Sequence, residues 1–332
     1  MEVPRVSVFI ASYNAPRYIA PACRSILDQS YRDLELVVVD DGSNAETRAI
    51  LRALAATDPR MRLIEASHQG QIATLNQAVS LCRGEFIARL DHDDIAYPDR
   101  IARQVAFLDS HPGVVAVGSL TGKIDSEGRR KTISPQRTFN ARSEAFRFPP
   151  KIVFLMGPTL MARATALRGT GGFRPQVRAA EDRDISWRLA QQGPTANIEE
   201  LLIDHRDHDA SLGLRERKTQ AYASLISDLS AIAGHFGRDD RTALERVDAG
   251  RSYEAALAEY ETLLADVYPV RSLVLLNLAK PRFLELADAG PPRQLASAIA
   301  RHFARQPLDP SRWMVLARLP RVLRKSLAAK KA

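Results

Sequence analysis

The stretch Leu90-Asp91-His92-Asp93-Asp94 gathers carboxylates at the end of an apolar run, Phe86-Ile87-Ala88-Arg89. Two carboxylates one residue apart, where a strand turns into a loop, can converge on one hard cation and the phosphate oxygens it holds. Asp91 and Asp93 are therefore the first candidates for a metal site. An Asp-rich surface turn is the plain alternative, because Asp readily hydrogen-bonds its own backbone. A second acidic group, Glu181-Asp182, stands where an amphipathic pattern with Ile185, Trp187 and Leu189 begins, and acids there complement the positive end of a helix.

Positioning such groups requires a scaffold, and the first 120 residues spell one out. Nearly continuous apolar runs at 6–11, 34–39, 61–65, 85–90 and 114–117 read as strands covered on both faces. Between them lie helical patterns. The first covers 17–29, with Pro21 tolerable in its first turn; the second covers 45–57. The third carries Ile72, Leu75, Val79 and Cys82 and ends at Gly84 as its C-cap; the fourth carries Ile101, Val105 and Leu108, with Pro98 in its first turn. Such alternation predicts a parallel-rich sheet with helices on both faces, whose ligands bind at the carboxyl ends of the strands. Ser12-Tyr13-Asn14, Asp40-Asp41-Gly42-Ser43 and Asp91-His92-Asp93-Asp94 should then face one crevice.

Beyond Gly118 the pattern weakens, and 121–150 reads as loops and short strands. A strand is expected at 159–161, a small helix before Gly171-Gly172-Phe173, and a further strand near 198–203. From about residue 214 only helices are expected, over 221–236, 253–268, 272–289 and 292–306. This divides the 332-residue chain into an α/β domain, 1–212, and a helical region with a basic tail, 213–332. The tail, 312–332, interleaves Arg and Lys with Trp313, Leu316 and Leu319. It suits either an anionic bilayer surface or a solvated end.

Composition sets limits. With 45% apolar and 26% charged residues the chain is neither disordered nor fibrous. Its two cysteines, Cys23 and Cys82, sit in helical patterns as small core residues of a reducing compartment. The net charge of +8 allows anionic partners, but the basic residues form no aromatic-interleaved nucleic-acid module. The amino terminus lacks a basic-then-apolar leader and no apolar run reaches membrane-spanning length. The expected location is the cytoplasm, with peripheral contact at the inner face of the plasma membrane.

Taken in order, Val6-Ser7-Val8-Phe9-Ile10-Ala11-Ser12-Tyr13-Asn14, Val38-Val39-Asp40-Asp41-Gly42-Ser43, Gly84 with Leu90-Asp91-His92-Asp93-Asp94, Gly171-Gly172-Phe173, and Glu181-Asp182 with Trp187-Arg188-Leu189 resemble the inverting family 2 glycosyltransferases of GT-A fold. The likeness spans roughly residues 3–210 and rests on several motifs agreeing. It implies a GT-A fold, Rossmann-like, with a mixed, mostly parallel sheet and a C-terminal helical extension. It also implies transfer of a sugar from a nucleoside diphosphate donor, UDP-linked, to a hydroxyl of a glycan or lipid-linked acceptor in polysaccharide or lipopolysaccharide synthesis.

The resemblance assigns Ala11, Tyr13, Asn14, Asp40 and Asp41 to the donor, with Tyr13 flanking the uracil and Asp41 accepting from its ring nitrogen. Asp91 serves the ribose and, with Asp93, a manganese or magnesium ion; His208 joins that ion, or His205 does so instead. Asp182 is the catalytic base. Glu181, Trp187 and Arg188 fall on the acceptor side, and His92 lines the crevice. Two departures stand out: Ala11-Ser12 replaces a Pro-Thr common in relatives, and Arg89 precedes the acids, able to reach phosphate or to pair with a nearby acid. The helical region would cover the acceptor, form an oligomer contact or dock on a membrane. The rival readings are a nucleotidyltransferase on the same fold, for which the first loop lacks the Gly-rich basic sequence, and a non-catalytic glycan-binding module, which would not need Asp93 and Asp182.

Overall fold

The computed structural model describes residues 3–134, 152–207, 217–248 and 253–267. The chain divides into two compact units, Met1–Ala145 with Ile152–Ser211, and Phe146–Lys151 with Leu212–Ala332.

The first unit is built on a mixed sheet. Strands β1 (Val6–Ser12), β2 (Leu34–Asp41), β3 (Met61–Ala66) and β4 (Phe86–Arg89) lie in the order β3-β2-β1-β4, every neighbour parallel. Strand β4 then pairs antiparallel with β8 (Met161–Arg163), and β8 with β6 (Ala116–Ile124). A long β9 (Thr195–Arg206) runs parallel to β6; short β5 (Ile95–Ala96) and β7 (Arg130–Ser134) close the far side.

Continuous apolar strands fit because both sheet faces are covered. On one face Val6, Val8 and Ile10 meet α1 (Ile19–Leu27), α2 (Ala45–Thr57) and α4 (Arg100–Ser110) through Ile26, Leu51 and Ile101. On the other, Phe9, Val37 and Val39 share a core with α3 (Gln71–Leu81), α5 (Ala164–Gly169) and α6 (Glu181–Gln192) through Leu75, Leu167 and Ile185. Each fully buried Val or Ile contributes about 1.5–3 kcal/mol. Cys23 and Cys82 are free and buried on opposite faces, and burial pushes both thiols up to about 12.

Several expectations need correction. The third helix is capped at Cys82, not Gly84. Gly84 is needed instead because a Cβ there would stand 2.6 Å from the Ser7 nitrogen. Pro98 lies outside α4, ahead of its N-cap Asp99, and the first helix is shorter than 17–29. Gly157–Thr159 forms a 3-10 turn, so the strand expected at 159–161 starts only at Met161. Strand β6 runs to Ile124 through Gly118, Ser119, Thr121 and Gly122, because small residues let β9 approach: a Cβ on Gly118 or Gly122 would lie 2.2 Å from the Asn197 or Asp204 side chain.

In the second unit α7 (Arg217–His235), α8 (Arg241–Asp248) and α9 (Tyr253–Leu263) are described. Tyr260 donates to Asp240 at 2.7 Å, tying α9 to the start of α8. The expected helices at 272–289 and 292–306 and the basic tail 312–332 lie outside the described residues. No described helix is long and apolar enough to cross a membrane.

At the amino end of the sheet a buried Glu35 organises the entry to β4. Ser7 Oγ donates to it at 2.6 Å, and Arg83 and Arg62 reach it at 2.7 and 2.8 Å. Burial alone would push this carboxyl up, but the hydrogen bonds outweigh it and lower it to about 2. A carboxyl lowered this way adds stability above its unfolded pKa, near 4.3, and loses it as pH falls toward the folded value. Glu35→Gln should lower unfolding free energy at pH 7 by about 1–3 kcal/mol and flatten its decline between about pH 5 and pH 3. Urea unfolding across that range checks both.

Candidate active site

The carboxyl ends of β1, β2 and β4 lie side by side. Past β1 the chain turns at Asn14, the only non-glycine among the described residues with a left-handed backbone, at φ +49. Its N–H donates to Ser43 Oγ at 2.9 Å, and its side-chain oxygen accepts from the Asn44 N–H at 2.8 Å. The first loop is thereby stitched to the turn after β2. Gly42 in that turn has φ +71, and a Cβ there would stand 2.7 Å from the His68 nitrogen. Both constraints demand glycine.

Asp40 and Asp41 point to opposite faces of β2. Asp40 is buried, accepts from the Ser43 N–H at 3.2 Å and leaves its other oxygen unpartnered. Asp41 grips the loop after β3: it accepts the Gln69 and Gly70 N–H groups at 2.7 and 3.0 Å and lies 2.9 Å from His68 Nδ1. Tyr13, 44% exposed, stacks on His68 with centroids 4.4 Å apart. His68 is thus a member of this edge that motif reading passed over. The polar ending of a third parallel strand was its signal.

In the acidic turn the three Asp residues differ. Asp94 is fully buried, accepts from the Arg206 N–H at 2.8 Å and pairs with His205 Nδ1 at 3.0 Å. Burial works against a charged His205, but Asp94 outweighs it and raises the imidazole to about 9. Arg206 Nε donates to the Asp93 carbonyl at 2.9 Å, and its guanidinium lies over the Tyr18 ring. His205 therefore secures the turn from below. His92 Nδ1 lies 3.2 Å from the Ala11 carbonyl, joining the turn to β1. Asp91 and Asp93 remain partly exposed at the rim.

Arg89 pairs with acids. Its buried guanidinium donates from Nε to Asp91 at 2.8 Å and from Nη2 to Glu181 at 3.1 Å. Glu181 is the first residue of α6 and Asp182 the second. Burial pushes Glu181 up to about 7, the Asp182 charge adding to the shift while Arg89 opposes it. Asp182, partly exposed, is also raised, first by burial, with Asp91 adding to the shift; Arg89 and the N–H groups of Arg183 and Gly157 hold it back. Gly157 passes so close to Arg89 that a Cβ would lie 2.9 Å from Cζ. Neither Arg89 as a bridge nor Gly157 was anticipated as part of the site.

The remaining expected residues separate by role. Trp187 is wholly buried, and Arg188 is held by Asp184 at 2.6 Å and by the Thr170 carbonyl at 2.7 Å. Both are held within the packing around α6, and Glu181 faces Arg89. None of the three presents an open acceptor surface in this structure. His208 lies outside the described residues. Asp91 and Asp93 offer carboxylate oxygens, the donors a hard cation prefers. Among the described residues no three His, Cys, Asp or Glu side chains form a cage; an ion on this pair would need further ligands such as phosphate oxygens or water.

Comparison with known proteins bears on the family and the fold. The family model described as "Glycosyl transferase family 2" matches residues 7–171. The Bacillus subtilis (strain 168) protein named "Putative glycosyltransferase EpsE" is 35% identical over 213 residues, covering 62% of this chain and 75% of that one. The mannosyltransferase PcManGT of Pyrobaculum calidifontis, solved with GDP-Man and Mn2+, has a TM-score of 0.54 at 21% identity, over 98% of this chain and 88% of its own. S. aureus TarS 1-349 with UDP-GlcNAc has a TM-score of 0.56 at 16% identity, over 98% and 92%. The sheet order, the flanking helices and these likenesses give the fold as GT-A, and the chain belongs to glycosyl transferase family 2.

Proposed function

We propose that the chain transfers a sugar, with inversion, from a uridine-linked nucleoside diphosphate to a hydroxyl of a glycan or lipid-linked acceptor. The reading places this reaction in polysaccharide or lipopolysaccharide assembly. The observation that carries it is the meeting of Asp182 with the acidic end of β4 across Arg89, which puts a base of raised pKa beside a carboxylate edge suited to a diphosphate and its cation. The donor complexes of PcManGT and TarS support a nucleotide-sugar ligand for this fold.

In this reading Tyr13 and Asp41 receive the uracil, the backbone at Ala11, Asn14 and Asp40 shapes the ribose pocket, and Asp91 meets the ribose. Asp91 and Asp93 would hold Mn2+ or Mg2+, which when bound offsets the charge building on the leaving diphosphate. Asp182 takes the proton from the acceptor hydroxyl as its oxygen attacks the anomeric carbon. The new carbon–oxygen bond forms on the face opposite the one that breaks, and the departing nucleoside diphosphate keeps the bonding electrons. A single displacement needs one base and no nucleophilic carboxylate, in keeping with Asp182 acting alone.

Asp182→Asn should lower transfer kcat by about 100-fold or more, and steady-state assay with donor and acceptor reads it directly; full turnover would remove the base assignment. Because Asp182 acts ionised and its pKa is raised, kcat is full above that pKa and falls as pH drops through it. The acid limb should therefore lie above the ordinary Asp value near 3.9 and report the Glu181–Asp182 pair jointly. In thermal-shift measurements UDP with Mn2+ should raise Tm by several degrees through mass action. Chelator or Asp93→Asn should abolish most of that rise.

A further inference from the structure

Arg89 belongs to the donor edge by sequence and to the base helix by contact. Its own backbone is fixed at both ends: its N–H donates to the Leu160 carbonyl at 2.9 Å, and its carbonyl accepts from Arg100 Nη2 at 2.7 Å. The side chain is 4% exposed and lies over the Phe173 ring. With main chain and ring held, the guanidinium has little freedom, and its donors point two ways, Nε to Asp91 and Nη2 to Glu181.

We propose that Arg89 is a positioning residue that locks the first turn of α6 to the end of β4, so that the donor edge and the base Asp182 are set by one buried cation. The inference deepens the transfer reaction proposed above and rests on it. Two routes lead from Arg89 to Asp182. The first runs through Glu181, whose carboxylate anchors the first residue of α6 and is also reached by Gln71 Nε2 at 3.4 Å. The second runs through Gly157, which packs on the guanidinium while its N–H donates to Asp182.

Arginine suits the task where lysine does not. A planar fork serves two carboxylates in different directions, whereas an ammonium is a point charge that satisfies one well. The charge count explains why the cation is needed. Asp91, Glu181 and Asp182 all act on Arg89, so three carboxylates surround one guanidinium. Without it they repel in a poorly solvated setting, and Glu181 and Asp182 lose the tether that holds them. A shift of about 1 Å at a reacting group can cost 100-fold in rate.

The test compares full-length wild type with Arg89→Lys, Arg89→Met and the charge-balanced double variant Arg89→Met with Glu181→Gln. Three readouts are taken: transfer kinetics, UDP affinity with Mn2+, and hydrogen exchange of peptides spanning 178–188. Arg89→Met should lower kcat about 100-fold, weaken UDP affinity with Mn2+ because Asp91 loses its partner, and speed exchange over 178–188; Arg89→Lys should fall between it and wild type. The double variant should recover wild-type Tm without recovering kcat or slow exchange. Recovery of kcat together with Tm would overturn the proposal, as would exchange over 178–188 unchanged in Arg89→Met. Exchange is read whether or not transfer occurs, so an Asp182→Asn variant that stays active overturns the base assignment while leaving the Arg89 result legible.

Discussion

Crowding carboxylates at one edge of a sheet is the constraint on which the rest of this structure depends. Asp91, Asp93, Asp94, Glu181 and Asp182 approach one another where strand ends meet a helix start, and each buried negative charge must be paired or lose its charge. The protein answers with three devices for four of them. Asp94 receives His205 and the Arg206 N–H. Glu181 and Asp91 share Arg89. Asp182 is partly exposed, held by backbone N–H groups, and its affinity for a proton stays raised. Asp182 is also the residue proposed as the base.

That division of labour explains features that look unrelated. Glycines at 42 and 157 permit close approach, one of the β2 turn to His68 and one of a loop to a guanidinium. Arg100, buried in α4 and held down toward about 9 by the cost of burial, supports the backbone of Arg89 rather than contacting an acid directly. Trp187, wholly buried, and the Arg188–Asp184 pair hold α6 in place. The end of β4 and the start of α6 are therefore parts of one electrostatic unit.

Much of this was legible in the sequence, for physical reasons that also mark where reading stops. The parallel strands declared themselves because burial on both faces forces continuous apolar runs, and their polar ends named the crevice. The continuation of β6 beyond Val117 was hidden because tight packing against β9 selects Gly, Ser and Thr, which read as loop. In β9, Glu199 and Glu200 are exposed where the register with β6 slips, which shortened the apparent strand. Asp91, Asp93 and Asp182 stood out by type and spacing. The Arg89 bridge did not, because Glu181 lies 92 positions away and only the fold brings it near. The motif gave no sign that Trp187 is wholly buried or that Arg188 is held by Asp184.

In the proposed reaction the ends of β1, β2 and β4 form one donor cradle ending at the acids that face Asp182. A crystal structure of the chain with UDP and Mn2+ tests it most directly. The account predicts the uracil beside Tyr13 and Asp41, the metal on Asp91 and Asp93, and the outer phosphate toward Asp182. Nucleotide bound away from those strand ends, or a diphosphate that leaves Asp91 and Asp93 without contact to metal or phosphate, would contradict it.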